Sequence, residues 1–260
     1  MLEACAIAAG RCWRVCATGI CFALFGIGGV LLRVLVFPLL AALAPAHIKK
    51  PAARATVRAS FRAFVGIMRA LGVLRYDVTG LDKLNREGLL ILANHPTLID
   101  TVFLIAFVRN ADCIVKGALW RNPATSGPVR AAGYILNDQG PRLLDDCIAS
   151  LGAGGNLIVF PEGTRSGAAG PVDFKRGAAH IAVRAARPIT PVVIRCQPPT
   201  LAKDSKWWQV PPRQAHFCID IKDDIGLAPF TGAGISEVLA ARRLTAHLQH
   251  FFLEEARHHA

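Results

Sequence analysis

A histidine and an aspartate lie five residues apart in the segment Asn94-His95-Pro96-Thr97-Leu98-Ile99-Asp100. The segment follows a short apolar run that predicts a buried strand, and it opens a predicted helix. Across such a turn the two side chains can fold back on each other, so that the carboxylate accepts a hydrogen bond from Nδ1–H of the imidazole and Nε2 is left free as a base. The structural alternative is a variant of the capping box, in which Thr97 and Asp100 serve the backbone at the start of the helix.

A second polar segment, Phe160-Pro161-Glu162-Gly163-Thr164-Arg165-Ser166, follows another apolar run. Its residue types suit an anionic ligand, because Gly163 allows close approach of the backbone and Arg165 offers a fork of donors to phosphate oxygens. Glu162 can position a hydroxyl group or orient the arginine. The alternative for this loop is a polar turn in which Glu162 pairs with Arg165.

Together the two segments resemble the glycerolipid acyltransferase family, of the lysophosphatidate acyltransferase type. The first resembles the family's N-H-x-x-x-x-D motif, and the second matches its F-P-E-G-T-R-S motif letter for letter. Two further segments resemble the family's F-K-x-G-A and P-I-x-P-V stretches: Phe174-Lys175-Arg176-Gly177-Ala178 and Pro188-Ile189-Thr190-Pro191-Val192. The resemblance covers about residues 75–200, and the matching order and separations favour it over the two structural alternatives.

The resemblance implies transfer of a fatty acyl group from the thioester of acyl-CoA or acyl-carrier protein to a hydroxyl group, without an acyl-enzyme. His95 is then the general base that deprotonates the acceptor hydroxyl, and Asp100 orients it and stabilises its imidazolium. The acceptor-binding residues that the resemblance implies are Glu162, Gly163, Thr164, Arg165 and Lys175. We expect no metal and no cofactor beyond the acyl donor, and the sequence contains no H-E-x-x-H motif.

One residue departs from the family pattern. The family's third motif ends in Asp-Arg, and that arginine contributes to binding of the acceptor phosphate, whereas the run here is Gly133-Tyr134-Ile135-Leu136-Asn137-Asp138-Gln139. A neutral amide at Gln139 lacks a charge-assisted contact worth about 1.5–3 kcal/mol, unless Arg142 or Lys116 compensates. The expected acceptor is therefore lysophosphatidate-like, with another lyso-lipid or lipid-like hydroxyl compound as the alternative.

Short apolar runs alternate with helical patterns from Tyr76 onward. The runs predict strands over residues 75–79, 88–93, 112–116, 133–137, 156–160, 189–195 and 215–221, and the periodicity predicts helices over 97–108, 142–152, 174–186 and 235–257. The expected fold class is α/β, a mixed sheet flanked by helices and preceded by an N-terminal membrane-anchoring helical segment. Both polar segments follow predicted strands, and ligands of such sheets bind at the carboxyl ends of strands.

The N-terminal part of the chain is unusually apolar. Over all 260 residues the apolar share is 53%, the charged share is 18% and the mean hydropathy is +0.38, which excludes a disordered chain and indicates membrane contact. Residues 15–32 carry no charge and form a stretch that is nearly long enough to cross a bilayer as a helix. After Arg33 the apolar or small residues continue to Ala46. A single tilted span and a re-entrant hairpin both fit this stretch, and a cleaved signal peptide is the weaker alternative.

The basic residues concentrate in the same region, since residues 1–76 hold ten Lys and Arg side chains and one acidic side chain. A helix predicted over residues 51–73 carries Arg54, Arg58 and Arg62 at every fourth position. It is either an interfacial basic helix or a helix packed on the domain with a solvated arginine face. This distribution indicates anionic lipid rather than nucleic acid, and it predicts that the catalytic domain faces the cytoplasm.

We therefore predict a membrane anchor and basic interfacial helix over residues 1–75 and an acyltransferase domain over residues 76–260. The expected partners are membrane lipids, the lyso-lipid acceptor and the acyl donor, and the composition suggests a bacterial inner membrane. A serine hydrolase fits less well because no G-x-S-x-G motif occurs, and a non-catalytic membrane-binding module would not need the His–Asp pair. Trp207-Trp208 is either an interfacial anchor or lip of the acyl channel, or loop packing.

Overall fold

The computed structural model describes residues 2–138, 140, 142–165 and 173–257. Within them, one seven-stranded sheet is built from β1 (Leu74–Thr79), β2 (Leu90–Ala93), β3 (Ala111–Val115), β4 (Ile135–Leu136), β5 (Asn156–Val159), β6 (Ile189–Gln197) and β7 (Ala215–Ile221). The order across the sheet is β1-β7-β6-β2-β5-β3-β4. Neighbouring strands are parallel except β6 and β7, which are antiparallel, so the predicted mixed α/β sheet is confirmed.

Helices cover both faces of the sheet. They are α1 (Leu2–Leu31), α2 (Phe37–Leu43), α3 (Ala46–Ala70), α4 (Asp100–Phe107), α5 (Gly117–Arg121), α6 (Ser126–Ala131), α7 (Arg142–Gly152), α8 (Gly177–Ala185) and α9 (Glu237–Arg257), with a π-helical turn at Leu32–Val36 and a 3-10 turn at Leu81–Leu84. Each predicted strand and helix occurs, with its ends shifted by a few residues. The sequence reasoning missed α5 and α6, because helices of five and six residues are too short for a periodic apolar pattern.

The central strand β2 shows why the strands of this sheet have continuous apolar sequences. Leu90 and Leu92 pack into the core layer formed with α7, α8 and α9, whereas Ile91 and Ala93 pack into the layer formed with α3 and α4. All four side chains are completely buried. A strand with helices on both faces has no solvent side, and its sequence therefore lacks the polar alternation of an exposed sheet.

Residues Ile7–Leu43 form a long apolar helix, interrupted only by the π-helical turn, and it is the one helix in the described part of the chain that is long and apolar enough to cross a membrane. One side of it is buried on the domain. A Cβ atom at Gly29 would overlap the backbone carbonyl of Ala124, just before α6. The other side is exposed, with Ile27, Leu35 and Leu39 at 59%, 60% and 60% of full exposure. The helix therefore presents a continuous apolar face while lying against the protein.

Helix α3 packs on the domain against α4, and one of its arginines is buried. Arg54 is 5% exposed, forms an ion pair with buried Asp112 of β3, and donates to the carbonyl of Ala132 at 3.0 Å. Asp112 also accepts a hydrogen bond from the hydroxyl of Ser150 at 2.6 Å. Arg54 is thus not part of a solvated arginine face, although Arg62 is exposed. The domain boundary at residue 75 and the interfacial role of this helix stay predictions.

Candidate active site

The polar segment that follows β2 is attached to the sheet by a side chain. The side-chain N–H of Asn94 donates to the backbone carbonyl of Ile194 at 2.7 Å, and the side-chain oxygen of Asn94 accepts the backbone N–H of Ile194 at 2.7 Å. This pair of bonds replaces the next rung of the ladder between β2 and β6, so the backbone can leave the sheet at His95. The structure therefore assigns Asn94 a positioning role that the motif letter alone did not reveal.

His95 and Asp100 form the predicted pair. The Nδ1 atom of His95 lies 2.9 Å from Oδ2 of Asp100, which is completely buried. Asp100 also accepts the backbone N–H of Thr97 at 2.6 Å and the Thr97 hydroxyl at 2.5 Å. The aspartate therefore serves the turn before α4 and holds the histidine at the same time. The turn is not the predicted capping box, because α4 begins at Asp100 and its N-cap residue, Ile99, forms no side-chain cap hydrogen bond. Among the described residues, Nε2 of His95 has no hydrogen-bond partner.

The surroundings of this pair hold the imidazole in one orientation. Its ring stacks on Phe160 with 4.1 Å between centroids and 22° between planes. The His95 side chain is 16% exposed, so one edge still reaches solvent. Burial raises the pKa of Asp100 above its ordinary value, and the hydrogen bonds from His95 and Thr97 oppose this shift because they favour the carboxylate. The pair has the arrangement of a base and its orienting carboxylate.

The loop after β5 reaches the same edge of the sheet because β5 pairs in parallel with β2. Glu162 is 8% exposed, and its Oε1 accepts the backbone N–H of His95 at 3.1 Å. Gly163 has a φ of +67°, and its N–H donates to the carbonyl of Phe160 at 3.0 Å to close a tight turn. Glu162 therefore links the two motifs directly, a contact that the sequence reasoning missed.

The remaining predicted binding residues lie around this loop. The Arg165 guanidinium donates to the backbone carbonyls of Leu201, Ala202 and Lys203 at 3.2, 3.0 and 3.4 Å. The backbone N–H of Lys175 donates to the carbonyl of Pro161 at 2.8 Å, and its exposed ammonium pairs with Asp173 at 2.7 Å. Gly163, Thr164, Arg165 and Lys175 border one cavity with His95. Gln139 and Ser166 lie outside the described residues.

Leu201 joins the two motif loops, and no signal in the sequence pointed to it. Its carbonyl accepts both the backbone N–H of Leu98, at 3.0 Å, and the Arg165 guanidinium. Its φ is +50°, a left-handed conformation that is uncommon for a residue other than glycine. Such backbone strain persists where surrounding contacts over-determine it, often at functional sites.

The shared cavity has a volume of about 1280 Å³ and extends from His95 to the N-terminal helices. Pockets for drug-sized ligands are typically about 300–1,000 Å³, so this one suits a longer molecule. Its apolar lining includes side chains from α1, α3 and α4: Phe22, Phe25, Val57, Phe61, Phe64, Met68, Val102 and Ile105. The cationic residues Lys116, Arg165, Lys175 and Arg184 also line it, and Arg165 and Lys175 belong to the loops around His95. The arrangement can therefore hold a long apolar chain on one side of a base and an anion on the other.

No group of three His, Cys, Asp or Glu side chains in the described part of the chain is arranged to hold a metal ion.

Residues 75–195 match the family model described as Acyltransferase. The 1-acyl-sn-glycerol-3-phosphate acyltransferase of Pseudomonas aeruginosa is 27% identical over 137 residues, which are 49% of this chain and 52% of that protein. The Saccharomyces cerevisiae protein of the same name is 30% identical over 145 residues, 51% of this chain and 47% of that one. The chain thus spans about half the length of the curated relatives that it matches.

A solved structure extends the comparison to the fold of almost the whole chain. The crystal structure of the 1-acyl-sn-glycerophosphate (LPA) acyltransferase PlsC from Thermotoga maritima aligns with a TM-score of 0.70 and 20% identity. The alignment covers 96% of this chain and 98% of that chain. The two proteins therefore share their fold.

Proposed function

We propose that this chain is a glycerolipid acyltransferase that transfers a fatty acyl group from a thioester donor to the hydroxyl of a lysophosphatidate-like acceptor in phospholipid biosynthesis. The match of residues 75–195 to the Acyltransferase model and the likeness to curated 1-acyl-sn-glycerol-3-phosphate acyltransferases support this proposal. The observation that carries the proposal is the position of the His95–Asp100 pair. Its imidazole borders a large cavity that is apolar towards α1 and α3 and cationic near the motif loops.

In the proposed reaction, Nε2 of His95 accepts the proton of the acceptor hydroxyl as the hydroxyl oxygen attacks the thioester carbonyl. The carbon–sulfur bond breaks, the acyl group is now an oxygen ester, and the imidazolium returns the proton to the departing thiolate. Asp100 accepts a hydrogen bond from the Nδ1–H group throughout, remains ionised and stabilises the imidazolium electrostatically. General-base assistance of this kind contributes about 10²–10⁴-fold to the rate.

We propose that the acceptor phosphate binds among Lys116, Arg165 and Lys175. Arg165 is pre-organised because three backbone carbonyls hold its guanidinium. The pair between Lys175 and exposed Asp173 is a surface ion pair worth about 0–1 kcal/mol, so a phosphate can replace the carboxylate. Lys116 is the cation that compensates for the neutral residue Gln139 in this proposal.

The apolar part of the cavity is proposed to take the fatty acyl chain. Burying hydrocarbon contributes about 0.8 kcal/mol for each CH₂ group, so a long chain gains most of its affinity here. Phe25 of α1 and Phe61 and Phe64 of α3 form part of the lining. In this proposal the N-terminal helices therefore act as one wall of the acyl site as well as an anchor. Acyl-CoA and acyl-carrier protein both present the required thioester.

We further propose that the protein is bound to a membrane through the exposed face of the Ile7–Leu43 helix. Because the opposite side of this helix is packed on the domain, we expect the helix to lie in one leaflet with its exposed face towards lipid, and not to be surrounded by lipid as a free span. The excess of basic residues in the N-terminal region favours the cytoplasmic side of a bacterial inner membrane.

The first experiment compares detergent-solubilised protein with its His95→Ala variant. Thiol release from a long-chain acyl-CoA is measured with lysophosphatidate and with other lyso-lipids, and is repeated with acyl-carrier protein as donor. We expect lysophosphatidate to be acylated and the variant to be at least about 10²-fold slower. His216→Ala is the matched control, since His216 pairs with exposed Asp77 at 2.6 Å outside the cavity.

Each outcome has a distinct meaning. A His95→Ala variant as active as the parent protein excludes the base, and with it the mechanism. His95-dependent acylation of another lyso-lipid, with lysophosphatidate ignored, removes only the acceptor assignment.

A further inference from the structure

Two tryptophans that no step of the proposed reaction uses lie half-exposed next to each other. Trp207 and Trp208 are 42% and 48% exposed, and their rings meet edge to face with 5.5 Å between centroids. The indole has an apolar body and a polar N–H, and for this reason tryptophan is enriched at the boundary between lipid and water.

The tryptophan loop, residues 203–213, is attached to α1. The Trp207 ring lies 6.0 Å from that of Phe22, and a Cβ atom at Gly19 would be 3.4 Å from the same indole. Arg14, which precedes Gly19 in α1, donates hydrogen bonds to the backbone carbonyls of Pro211 and Pro212. The loop therefore runs along the helix, and the Trp207 indole lies beside Phe22, which is itself partly exposed.

The loop is also joined to the active site. The guanidinium of Arg165 donates to the carbonyl of Lys203, the first residue of the loop, and to those of Leu201 and Ala202 directly before it. Trp207 thus follows, by only a few residues along the chain, the carbonyls that hold Arg165 at the cavity. A surface that binds the tryptophans would therefore lie close to the cavity.

The charged residues around the two indoles indicate what kind of partner surface the loop can bind. The loop carries Lys203, Lys206 and Arg213 against the single acid Asp204, and Arg14 of α1 lies beside it. The ammonium of Lys206 is 5.2 Å from the centroid of the Trp208 ring. Cations that flank aromatic side chains match an anionic lipid interface, where lipid headgroups attract the charges and the indoles enter the boundary.

We infer that the tryptophan loop is a second membrane contact, in which Trp207 and Trp208 enter the headgroup region of an anionic bilayer and hold the cavity mouth against it. This inference rests on the membrane-bound state in the proposed function. An acidic protein would match the charges as well, but it would not explain why the half-exposed indoles lie beside the apolar helix α1.

The test uses the full chain in vesicles of phosphatidylethanolamine and phosphatidylglycerol. In a variant in which Trp13, Trp120 and Trp207 are replaced by Phe, the fluorescence reports Trp208 alone. We expect lipids brominated near the glycerol to quench this emission and vesicles to shield it from aqueous acrylamide. In the matched control all four native tryptophans are replaced by Phe and a single tryptophan is introduced by Val238→Trp. Val238 is an exposed residue of α9, which packs on the sheet with α7 and α8, and lipid quenching should be absent there.

A kinetic measurement on Trp208→Ser provides a second readout. We expect kcat/KM for an acceptor in vesicles to fall about tenfold, as expected when a large apolar side chain loses its contact with lipid. The rate with a short-chain acceptor that is monomeric in water should not change, since Trp208 does not line the cavity. Val238→Ser should leave both rates unchanged.

Four results would overturn the inference. Vesicle-bound protein with unquenched Trp208 would remove this contact and leave the proposed function intact. Equal losses on both acceptors would assign Trp208 to the fold or to the site. Shielding of Trp208 by acyl-carrier protein alone would identify a protein-docking surface. Failure of the parent protein to bind vesicles would refute this inference together with the membrane-bound state.

Discussion

The substitution Asp100→Asn removes one negative charge from the site and preserves its shape. Oδ2 of Asp100 accepts the Thr97 N–H at 2.6 Å and also contacts Nδ1 of His95 at 2.9 Å. A backbone N–H can only donate, so the amide oxygen of the asparagine must occupy the Oδ2 position. The amide nitrogen then faces the Thr97 hydroxyl, which can accept its hydrogen. We therefore expect the fold and the histidine tautomer to be retained.

The loss of activity should come from electrostatics alone. Two unit charges about 4 Å apart interact with about 4 kcal/mol at an effective dielectric constant of about 20. This stabilisation of the imidazolium exists only after His95 has accepted the proton, so it lowers the barrier without strengthening substrate binding. Since each 1.36 kcal/mol changes a rate about tenfold, kcat should fall about 10³-fold.

The assay is steady-state thiol release, with kcat and KM determined separately. We expect an unchanged KM and a melting temperature close to that of the parent protein. The matched control is Asp77→Asn, because Asp77 also pairs with a histidine, at 2.6 Å, but is 78% exposed. It should stay within about twofold of the parent, as exposed pairs are weak. A kcat for Asp100→Asn within a few-fold of the parent value would refute the electrostatic argument, and an unfolded variant would refute the hydrogen-bond argument.

Two further predictions concern stability. Arg54→Met leaves the buried carboxylate of Asp112 without its cation, so the free energy of unfolding in urea should fall by about 3–5 kcal/mol. Exposed Arg62→Met should change it by less than about 0.5 kcal/mol, and equal effects would contradict the buried pair. The second prediction concerns Asp224, whose pKa is lowered below its ordinary 3.8 by hydrogen bonds from Arg86. The ionised carboxylate therefore stabilises the fold above pH 3.8, and this contribution is lost as the pH falls through the lowered pKa. Melting temperatures across this acidic range should therefore fall less steeply for Asp224→Asn, and an unchanged slope would contradict the prediction.

The parts of the site that the sequence alone determined are those whose partners are close along the chain. His95 and Asp100 are five residues apart, so one strand-to-helix turn is enough to bring Nδ1 to the carboxylate. The run that forms β2 was also readable, because a strand buried on both faces needs apolar residues at each position. Both motif loops were expected at one edge of the sheet, since parallel strands end there together.

Tertiary structure alone decided the contacts between distant segments. The periodicity of α3 put Arg54 in a basic stripe, but Asp112, 58 residues away, holds it in the interior. Glu162 reaches the backbone of His95 across 67 residues, and Arg165 binds carbonyls 36 to 38 residues downstream. The length and apolar composition of the N-terminal helix were readable from the sequence, whereas its position as a wall of the cavity depends on packing against the domain. Local spacing dictates local geometry through the covalent chain, but a distant partner is chosen only when burial forces both segments into one core.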